Sequence, residues 1–454
     1  MEKGKTLGGT RLAALFDAGT FVEVGAFVKR PGGELTGVVC GYGAVKGKLV
    51  YAFAQDADRQ KGAFDLWQAN KIAAVYEMAM KNGAPIVGMF DSAGAVLCDG
   101  ASALSAYGKL LKVVSDASGV IPQIAVISGV CAGMAATVAA MFDLAVTVKD
   151  TSKLFVNAPF LVGKEVGDAA YAAQVGLASL IAENEADALQ KVAALVEMLP
   201  SNNGEGVYAE EITDDVNRAV AVEGLQGKAL IGQLADAGVL LEIGGGYAEE
   251  MLTGFARFGG VTCGVVANNG GSRDGVITAA AAKKAAKMIG FCDSFSIPVV
   301  TLIDSVGVEI SGEAEGTPLA AQLGKLAMAY ASANTAKITA VTGKAYGAAF
   351  TLMGSKALGA DMVYALPEAE ISVMDPASAV AFLWNDQITP EVSRDALEEK
   401  WKKTCADPAV AACDGSVDDV IAPAELRQRI CSAVYMLMAK GEGAPSRRHC
   451  NLPL

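Results

Sequence analysis

Two kinds of segment alternate along this chain. Short apolar runs such as PIVGMF from Pro85 and PVVTLI from Pro298 end at aspartate, serine and glycine, which is the pattern of buried strands. Longer stretches with helical periodicity precede them, at about Trp67–Lys81 and about Thr278–Phe295. Strands that alternate with helices predict an α/β fold built around a mainly parallel sheet.

The same order of segments occurs twice. GYGAVKGKLVYAFAQD from Gly41 aligns without gaps with GFARFGGVTCGVVANN from Gly254, an offset of 213 positions (254 − 41). The match extends in both directions through further pairs: Asp17/Asp236, Glu23/Glu242, Gly25/Gly244, Lys71/Lys284, Asp91/Asp304, Gly129/Gly343 and Gly133/Gly347. A period of half the chain indicates a duplicated domain rather than a solenoid.

Each half predicts a repeated ββα arrangement. Two β-rich segments meet at a glycine turn, Lys46-Gly47 or Gly259-Gly260, and a helix and a strand ending in Asp-Ser follow. After another helix, QIAVIS or KITAVT leads into a second glycine turn. The halves join near Pro200–Gly206, and a polar stretch extends to about Arg218, so we expect domains at 1–218 and 219–454.

Composition narrows the possible functions. The 454 residues carry 37 Lys plus Arg against 50 Asp plus Glu, a net charge of −13, so nucleic acid is a poor partner. The single histidine, His449, nearly excludes a Ser-His-Asp triad or a multi-histidine metal site, and no metal is expected. Nine cysteines without C-x-x-C spacing and no signal-peptide pattern at the N-terminus predict a reduced, cytoplasmic protein, and the apolar composition fits an oligomer.

The second glycine turns are the candidate sites. In GVCAGMA and GKAYGAA a strand runs into small residues that open a helix, so backbone N–H groups could hold an anion or a developing oxyanion. The alternative is that small residues only permit tight packing. Asp91 and Asp304, which end strands beside these turns, are expected to anchor loops by hydrogen bonds. Lys71 and Lys284 are expected to be solvated or capping residues.

The chain resembles a known family, the carboxyltransferase subunits of biotin-dependent acyl-CoA carboxylases and sodium-pumping acyl-CoA decarboxylases. The resemblance covers essentially the whole chain. It rests on many short matches in the same order, among them RLAALFDAGTFVEVGAF, AMKNGAPIVGMFDSAGA, SGVIPQIAVISGVCAG, FCDSFSIPVVTLID, VTGKAYGAAFTLMGSKALGAD, VDDVIAPAELR and RRHCNLPL. It implies two tandem crotonase-like (ClpP/crotonase) domains.

The resemblance also implies a reaction that needs no histidine. A carboxyl group moves between N1 of biotin, on a separate carrier protein, and the α-carbon of an acyl-CoA. Backbone amides hold the thioester enolate in the N-terminal half and the ureido oxyanion in the C-terminal half. The catalytic amides would be those of Gly133 and Met134, and of Ala348 and Ala349. The implied substrate contacts are Ala93, Gly94, Ala95, Cys131, Ala132, Phe350 and Thr351, and the implied biotin contacts are Gly307, Val308, Tyr346 and Gly347.

This chain departs from the family pattern at several positions. Met134 and the pair Ala348-Ala349 replace usual glycines, Val96 stands where the family has an arginine, and Asp375 replaces a glycine. A residue with Cβ at a position that needs a positive φ would cost roughly 1 kcal/mol or more. The segment after Lys164-Glu165 is shortened. Thr351, at a position that tunes acyl preference in the family, predicts a short or polar acyl group, although it could equally serve packing alone.

Three functions therefore stay open from the sequence. The first is an acyl-CoA carboxyltransferase that works with a biotin carboxyl carrier protein and with a biotin carboxylase or a membrane decarboxylase subunit. The family implies a hexamer built as a trimer of dimers, which could be peripheral to a membrane complex. The second is a non-catalytic paralogous subunit of such a complex, suggested by Met134, Val96 and Asp375. The third is a biotin-independent crotonase-like enzyme.

Overall fold

A computed structural model describes residues 6–30 and 32–441, which form two compact units, Met1–Gly206 and Val207–Leu454. The division falls at the end of the predicted join. Residues 207–218 belong to the second unit, where Ala209 pairs with Val261. His449 and the terminal RRHCNLPL motif lie outside the described residues.

The first unit is built on one eight-stranded sheet. Its strands are β1 (Val22–Val24), β2 (Val38–Val45), β3 (Lys48–Gln55), β4 (Ile86–Ser92), β5 (Gln123–Ala132), β6 (Leu144–Val148), β7 (Lys153–Phe155) and β8 (Leu180–Ala182). Its helices are α1 (Leu7–Leu15), α2 (Leu66–Asn82), α3 (Ala101–Ala117), α4 (Met134–Ala140), α5 (Pro159–Val162), α6 (Ala169–Gln174) and α7 (Glu185–Met198). The strand order is β1-β2-β3-β4-β5-β6-β8, and β7 pairs with β5.

The second unit repeats this plan, with a longer helical segment before its last strand. Its strands are β9 (Leu240–Glu242), β10 (Met251–Phe258), β11 (Val261–Asn268), β12 (Val299–Ser305), β13 (Lys337–Tyr346), β14 (Met362–Ala365), β15 (Glu370–Ser372) and β16 (Asp419–Val420). Its helices are α8 (Gly227–Leu234), α9 (Ala279–Ser294), α10 (Gly312–Glu315), α11 (Leu319–Ser332), α12 (Ala348–Leu352), α13 (Pro376–Leu383), α14 (Arg394–Trp401), α15 (Pro408–Cys413) and α16 (Leu426–Leu437). The order β9-β10-β11-β12-β13-β14-β16, with β15 on β13, mirrors the first sheet.

The predicted ββα units are confirmed. β2 and β3, like β10 and β11, form antiparallel hairpins, and the next strands add in parallel. Local signals explain the helix bounds: Asp65 accepts a hydrogen bond from the N–H of Gln68 at 2.8 Å to cap α2, and Gly83 ends it in the left-handed region. Thr278 caps α9 in the same way, through the N–H of Ala281 at 2.9 Å.

The central strands are buried on both faces, as parallel strands covered by helices usually are. In the first unit Phe90 of β4 lies edge-on to Phe53 and to Phe142, with ring centroids 5.6 and 5.4 Å apart. Gly88 lies beside these rings, and a larger residue would not fit because a Cβ there would come within 2.6 Å of the Phe53 ring. This packing fixes the strand whose carboxyl end carries the first candidate site.

An aspartate holds each hairpin turn. Asp17 accepts the N–H groups of Lys46 and Gly47 at 3.2 and 2.9 Å, and Asp236 accepts those of Gly259 and Gly260 at 3.0 and 2.6 Å. Both residues of each turn have positive φ, as a tight hairpin turn requires. The duplicated aspartate therefore serves the same purpose twice.

The surroundings of the two hairpin aspartates differ. Asp17 is exposed, whereas Asp236 is buried and accepts a hydrogen bond at 2.6 Å from Arg427, a fully buried residue of α16. In the first unit the second strand of the hairpin, β3, is held instead by Lys48. Its Nζ donates to three carbonyls at the end of α7, including that of Leu199 at 2.9 Å. The second hairpin thus depends on α16, the last helix among the described residues.

Candidate functional site

In each unit two loops meet at the carboxyl ends of adjacent parallel strands. Ser92 at the end of β4 is the register partner of Cys131 in β5, and Ser305 at the end of β12 is the partner of Ala345 in β13. The Asp-Ser loops therefore lie beside the glycine turns that follow β5 and β13, where ligands of such sheets usually bind.

Glycine is needed at one position of each turn. Gly133 has a φ of 64° and Gly347 a φ of 55°, a region that L-residues rarely adopt. The residues that follow them, Met134, Ala348 and Ala349, do not have a positive φ. Their side chains therefore cause no backbone strain, and the substitutions found in the sequence are compatible with the turn.

The N–H of each of these glycines is already hydrogen-bonded. Gly133 donates to the carbonyl of Phe155 at 2.9 Å, and Gly347 donates to the carbonyl of Ser372 at 2.8 Å. The Gly133 amide, which the sequence resemblance assigns to the thioester, is thus engaged within the unit. The following amides have no acceptor among the described residues: Met134 and Ala135 in the first unit, Ala348 and Ala349 in the second.

Each Asp-Ser segment contains a further amide without an acceptor among the described residues. Gly94 and Val96 are tied to Phe64, whose N–H donates to Gly94 at 2.8 Å and whose carbonyl accepts from Val96 at 3.0 Å. The N–H of Ala95, between them, has no acceptor in the described part of the chain. The sequence prediction of a substrate contact at Ala95 is compatible with this free donor.

The second unit reproduces this arrangement. Gly307 and Glu309 bond to the backbone of Ile277 at 2.9 and 3.1 Å, and the N–H of Val308 between them finds no acceptor within residues 6–30 and 32–441. Gly94 and Gly307 have φ values of 114° and 122°, and each donates its N–H to the serine two residues earlier. Ala93, in place of a family glycine, has no positive φ.

Asp91 and Asp304 anchor the turns, as expected. Asp91 accepts the N–H of Val130 at 3.3 Å, and Asp304 accepts that of Lys344 at 3.0 Å. Each carboxylate also lies against the preceding glycine, Gly129 or Gly343, where a Cβ would come within 2.3 Å of a carboxylate oxygen. Both aspartates therefore position the strand that leads into the turn.

The second oxygen of each aspartate has a different partner. Asp91 forms an ion pair at 2.8 Å with Arg11, a buried residue of α1 that also pairs with Glu185 at 2.5 Å. Asp304 instead accepts a hydrogen bond at 2.8 Å from the exposed, neutral amide of Gln226. Sequence reasoning missed Arg11 and Gln226, because each lies about 80 positions from its aspartate, and Arg11, although it opens a matched motif, has nothing near it in the sequence that indicates Asp91.

The prediction that Lys71 and Lys284 are solvated was wrong. Both are buried, and each Nζ donates to a backbone carbonyl: Lys71 to Val38 at 2.9 Å, and Lys284 to Tyr247 at 2.7 Å. Their four-carbon stems pack within contact distance of the matched glycines at 25 and 244, which is why these side chains lie inside the protein. Burial lowers the pKa of Lys284 to about 8.

The remaining predicted residues line the same turns. Cys131 is buried, and burial, with a smaller contribution from Asp91, raises the pKa of its thiol, so it is no nucleophile. Tyr346 is buried and donates its hydroxyl hydrogen bond to Glu370. Ala132 and Phe350 are half-buried, and Thr351 is exposed. Among the described residues no group of three or more His, Cys, Asp or Glu side chains could hold a metal ion.

Two departures from the family pattern have a structural role. Val96, in place of the arginine, is buried. Asp375 caps α13 by accepting the N–H of Ser378 at 2.9 Å, with Pro376 as the first helical residue.

Comparison with known proteins covers the whole chain. The carboxyl transferase domain model matches residues 1–452. The chain is 38% identical to the methylmalonyl-CoA decarboxylase subunit alpha of Veillonella parvula and 34% identical to the propionyl-CoA carboxylase carboxyltransferase subunit of Haloferax mediterranei, covering 100% of this chain and 94% of each relative.

The fold has a similarly extensive match among solved structures. A transcarboxylase 12S crystal structure, described as a hexamer assembly with hydrolyzed methylmalonyl-coenzyme A bound, superposes with a TM-score of 0.94 at 34% identity over 100% of this chain and 93% of that one. Among the helices of the described residues, none is long and apolar enough to span a bilayer.

Proposed function

Because the chain belongs to the carboxyl transferase domain family, we propose that it catalyses carboxyl transfer between a short acyl-CoA and biotin carried on a separate protein. The observation that carries the proposal is the repetition of one arrangement in both units: two loops at adjacent strand ends, each with an amide N–H that has no acceptor among the described residues. The first unit is assigned the acyl-CoA and the second the biotin ring.

The first unit would act on the thioester. Breaking the bond between the α-carbon and the carboxyl group leaves an electron pair that delocalises onto the thioester oxygen as an enolate, and in the reverse direction the same enolate uses that pair to form the bond. The amides of Ala95 and Met134, with Ala135 beside Met134, are the donors that would hold this oxygen. Each such donor is typically worth about 10²–10³-fold in rate, because it is already oriented before charge develops.

The residues of the second turn suit a neutral cyclic urea. The amides of Val308 and Ala348, which have no acceptor among the described residues, would donate to a carbonyl-type oxygen, whereas Ala349 beside them is fully buried; Gly307 and Gly347 have no side chain to obstruct the approach. When bound, biotin supplies or accepts the carboxyl group through its ring nitrogen. Tyr346 is buried and its hydroxyl is engaged by Glu370, so it would support the turn rather than supply a proton.

Asp91 and Asp304 hold the amides in place and take no part in proton transfer. Each carboxylate accepts a backbone N–H of the strand that leads into its turn and lies against a glycine with no room for a side chain. Preorganised donors need this rigidity, since a displacement of about 1 Å can cost 10²-fold in rate. The arrangement requires neither a histidine nor a metal ion for the chemistry.

A second copy of the chain and a carrier protein complete the proposed system. Leu97 in the first unit and Ile310, its match at an offset of 213, are 91% and 99% exposed, and Val156 and Val373 follow the equivalent strands β7 and β15 at 62% and 78%. Such apolar residues beside both turns favour coverage by protein, and we propose a hexamer, as in the 12S structure. A biotin carboxyl carrier protein would then serve a biotin carboxylase or a membrane decarboxylase subunit.

The test is a direct assay of the purified chain. Free biotin and either malonyl-CoA or methylmalonyl-CoA are mixed with the protein, and CO2 release is measured against the same mixture without biotin. We expect biotin-dependent loss of CO2 from at least one of the two thioesters. No acyl-CoA-dependent release across a panel of carboxylated thioesters would overturn the proposal.

A further inference from the structure

The two turns are matched in backbone but differ in one side chain. Met134 and Ala348 are each the first helical residue after a glycine of positive φ, and each contributes a free amide. Both are exposed, and Met134 is 39% exposed. A methionine exceeds an alanine by three heavy atoms, so the side chain of Met134 fills more space beside its turn than that of Ala348 does.

We infer that Met134 limits the size of the acyl group that reaches the amides of the first unit. This inference rests on the proposed function and specifies the substrate of that site. Next along α4, Ala135 and Ala136 are 2% and 6% exposed, so Met134 is the residue of this helix end that can contact a ligand beside the amides. Its thioether chain is flexible and apolar, and therefore suits an apolar acyl chain of limited length.

The inference also accounts for the difference between the turns. A two- or three-carbon acyl group presents little bulk beyond its thioester oxygen, whereas a bicyclic urea needs more room around its oxygen. Met134 stands in the unit assigned to the smaller group, and Ala348 in the unit assigned to the larger one. Neither residue has a positive φ, so exchanging these side chains tests volume without changing the demands on the backbone.

The experiment compares acyl chain lengths in the Met134→Ala variant. Dissociation constants for acetyl-, propionyl-, butyryl- and hexanoyl-CoA are measured by calorimetry, and kcat/KM is measured with biotin for the corresponding carboxylated thioesters. We expect the hexanoyl-to-propionyl ratio of affinities to rise about 10-fold, since one methylene in an apolar pocket changes selectivity by 10-fold or more. Propionyl-CoA itself should bind the variant no more than about 3-fold more weakly.

The matched control is Ala348→Met. It should weaken the use of free biotin and leave the acyl ratio unchanged. An unchanged ratio in a folded Met134→Ala protein that still binds acyl-CoA would overturn this inference while leaving the proposed function standing. Failure of the unaltered chain to bind any of the four thioesters would overturn both.

Discussion

The two candidate turns share an anchoring aspartate but differ in what holds that aspartate. Asp91 is fixed by the buried guanidinium of Arg11, and Asp304 by the exposed amide of Gln226. The backbone result is the same in both units, down to the carboxylate that lies against a glycine. A duplicated site can therefore keep its geometry while the residues that support it change, and the supporting residues determine how strongly each unit resists perturbation.

The largest effect should come from removing a free amide. Met134→Pro deletes the N–H at a first helical position, where proline is otherwise tolerated, and should lower kcat by about 10²–10³-fold. Ala348→Pro should cause a comparable loss if the two turns are equivalent donors. Rates are measured as biotin-dependent CO2 release.

The matched control for both is Arg394→Pro, a proline at the exposed first position of α14, which should leave kcat unchanged. A loss below 3-fold in either turn variant, with normal folding, would remove that turn from the proposed mechanism.

The next effect concerns the supports of the aspartates. Arg11→Ala leaves the carboxylate of Asp91, whose side chain is 13% exposed, without its cation and should lower the free energy of unfolding by about 3 kcal/mol. Gln226→Ala removes one exposed hydrogen bond from a neutral amide to the carboxylate of Asp304 and should cost about 1 kcal/mol. Urea denaturation of the two variants checks the contrast.

A double variant that removes both charges of the pair sharpens this prediction. If the charge of Arg11 matters through Asp91, the double variant Arg11→Ala/Asp91→Asn should lose less than the sum of its two single variants. Additive losses would mean that Arg11 stabilises the unit through its packing or through Glu185.

Much of this architecture could be predicted from local sequence. The predicted helix at about 67–81 is Leu66–Asn82 in the structure, because an aspartate and a glycine mark its ends. The two hairpins, the paired sites and the anchoring role of Asp91 and Asp304 follow from matched residues. The residues that the sequence did not reveal depend on distant segments.

The engaged amide of Gly133 is one such case. The carbonyl that accepts this amide belongs to Phe155 on β7, and no residue near the turn indicates that pairing. The internal repeat could have indicated this difference. An offset of 214 positions aligns Ala348 with Met134 and Ala349 with Ala135, so the repeat favours the amides of Met134 and Ala135 over that of Gly133. The buried lysines are another case, because a lysine is normally read as exposed, and only its match to a second lysine beside a matched glycine indicates a shared interior position.

The buried lysines also provide a pH test. Burial in the folded protein lowers the pKa of Lys284 to about 8 from its ordinary value of 10.5, so the folded state disfavours its charged form. Above pH 8 the folded chain has lost a proton that the unfolded chain keeps. Stability contributed at this site should therefore rise with pH between about 8 and 10.5, by about 1 kcal/mol per pH unit.

Other groups also titrate in this range, so the measured quantity is a difference. The pH dependence of the unfolding free energy is compared between the unaltered chain and Lys284→Met. The variant should lack the rise, whereas a constant difference from pH 7 to 10.5 would contradict the lowered pKa.

The smallest effect separates the hairpin supports. Asp17→Ala removes an exposed cap of two amides and should cost about 1 kcal/mol. Asp236→Ala should cost more, because it also removes the shorter of the two ion pairs of the fully buried Arg427 and leaves only Asp214, at 3.5 Å, as its counter-charge. Equal losses, measured by urea denaturation, would show that burial of Arg427 does not depend on Asp236.

The ion pair of Arg427 with Asp236 has a consequence for synthesis on the ribosome. The pair joins residues 191 positions apart. The first unit has all its residues once position 206 has emerged and can fold while translation continues. The second hairpin, although made early in its own unit, must wait until position 427 has also been synthesised before its buried aspartate acquires this counter-charge.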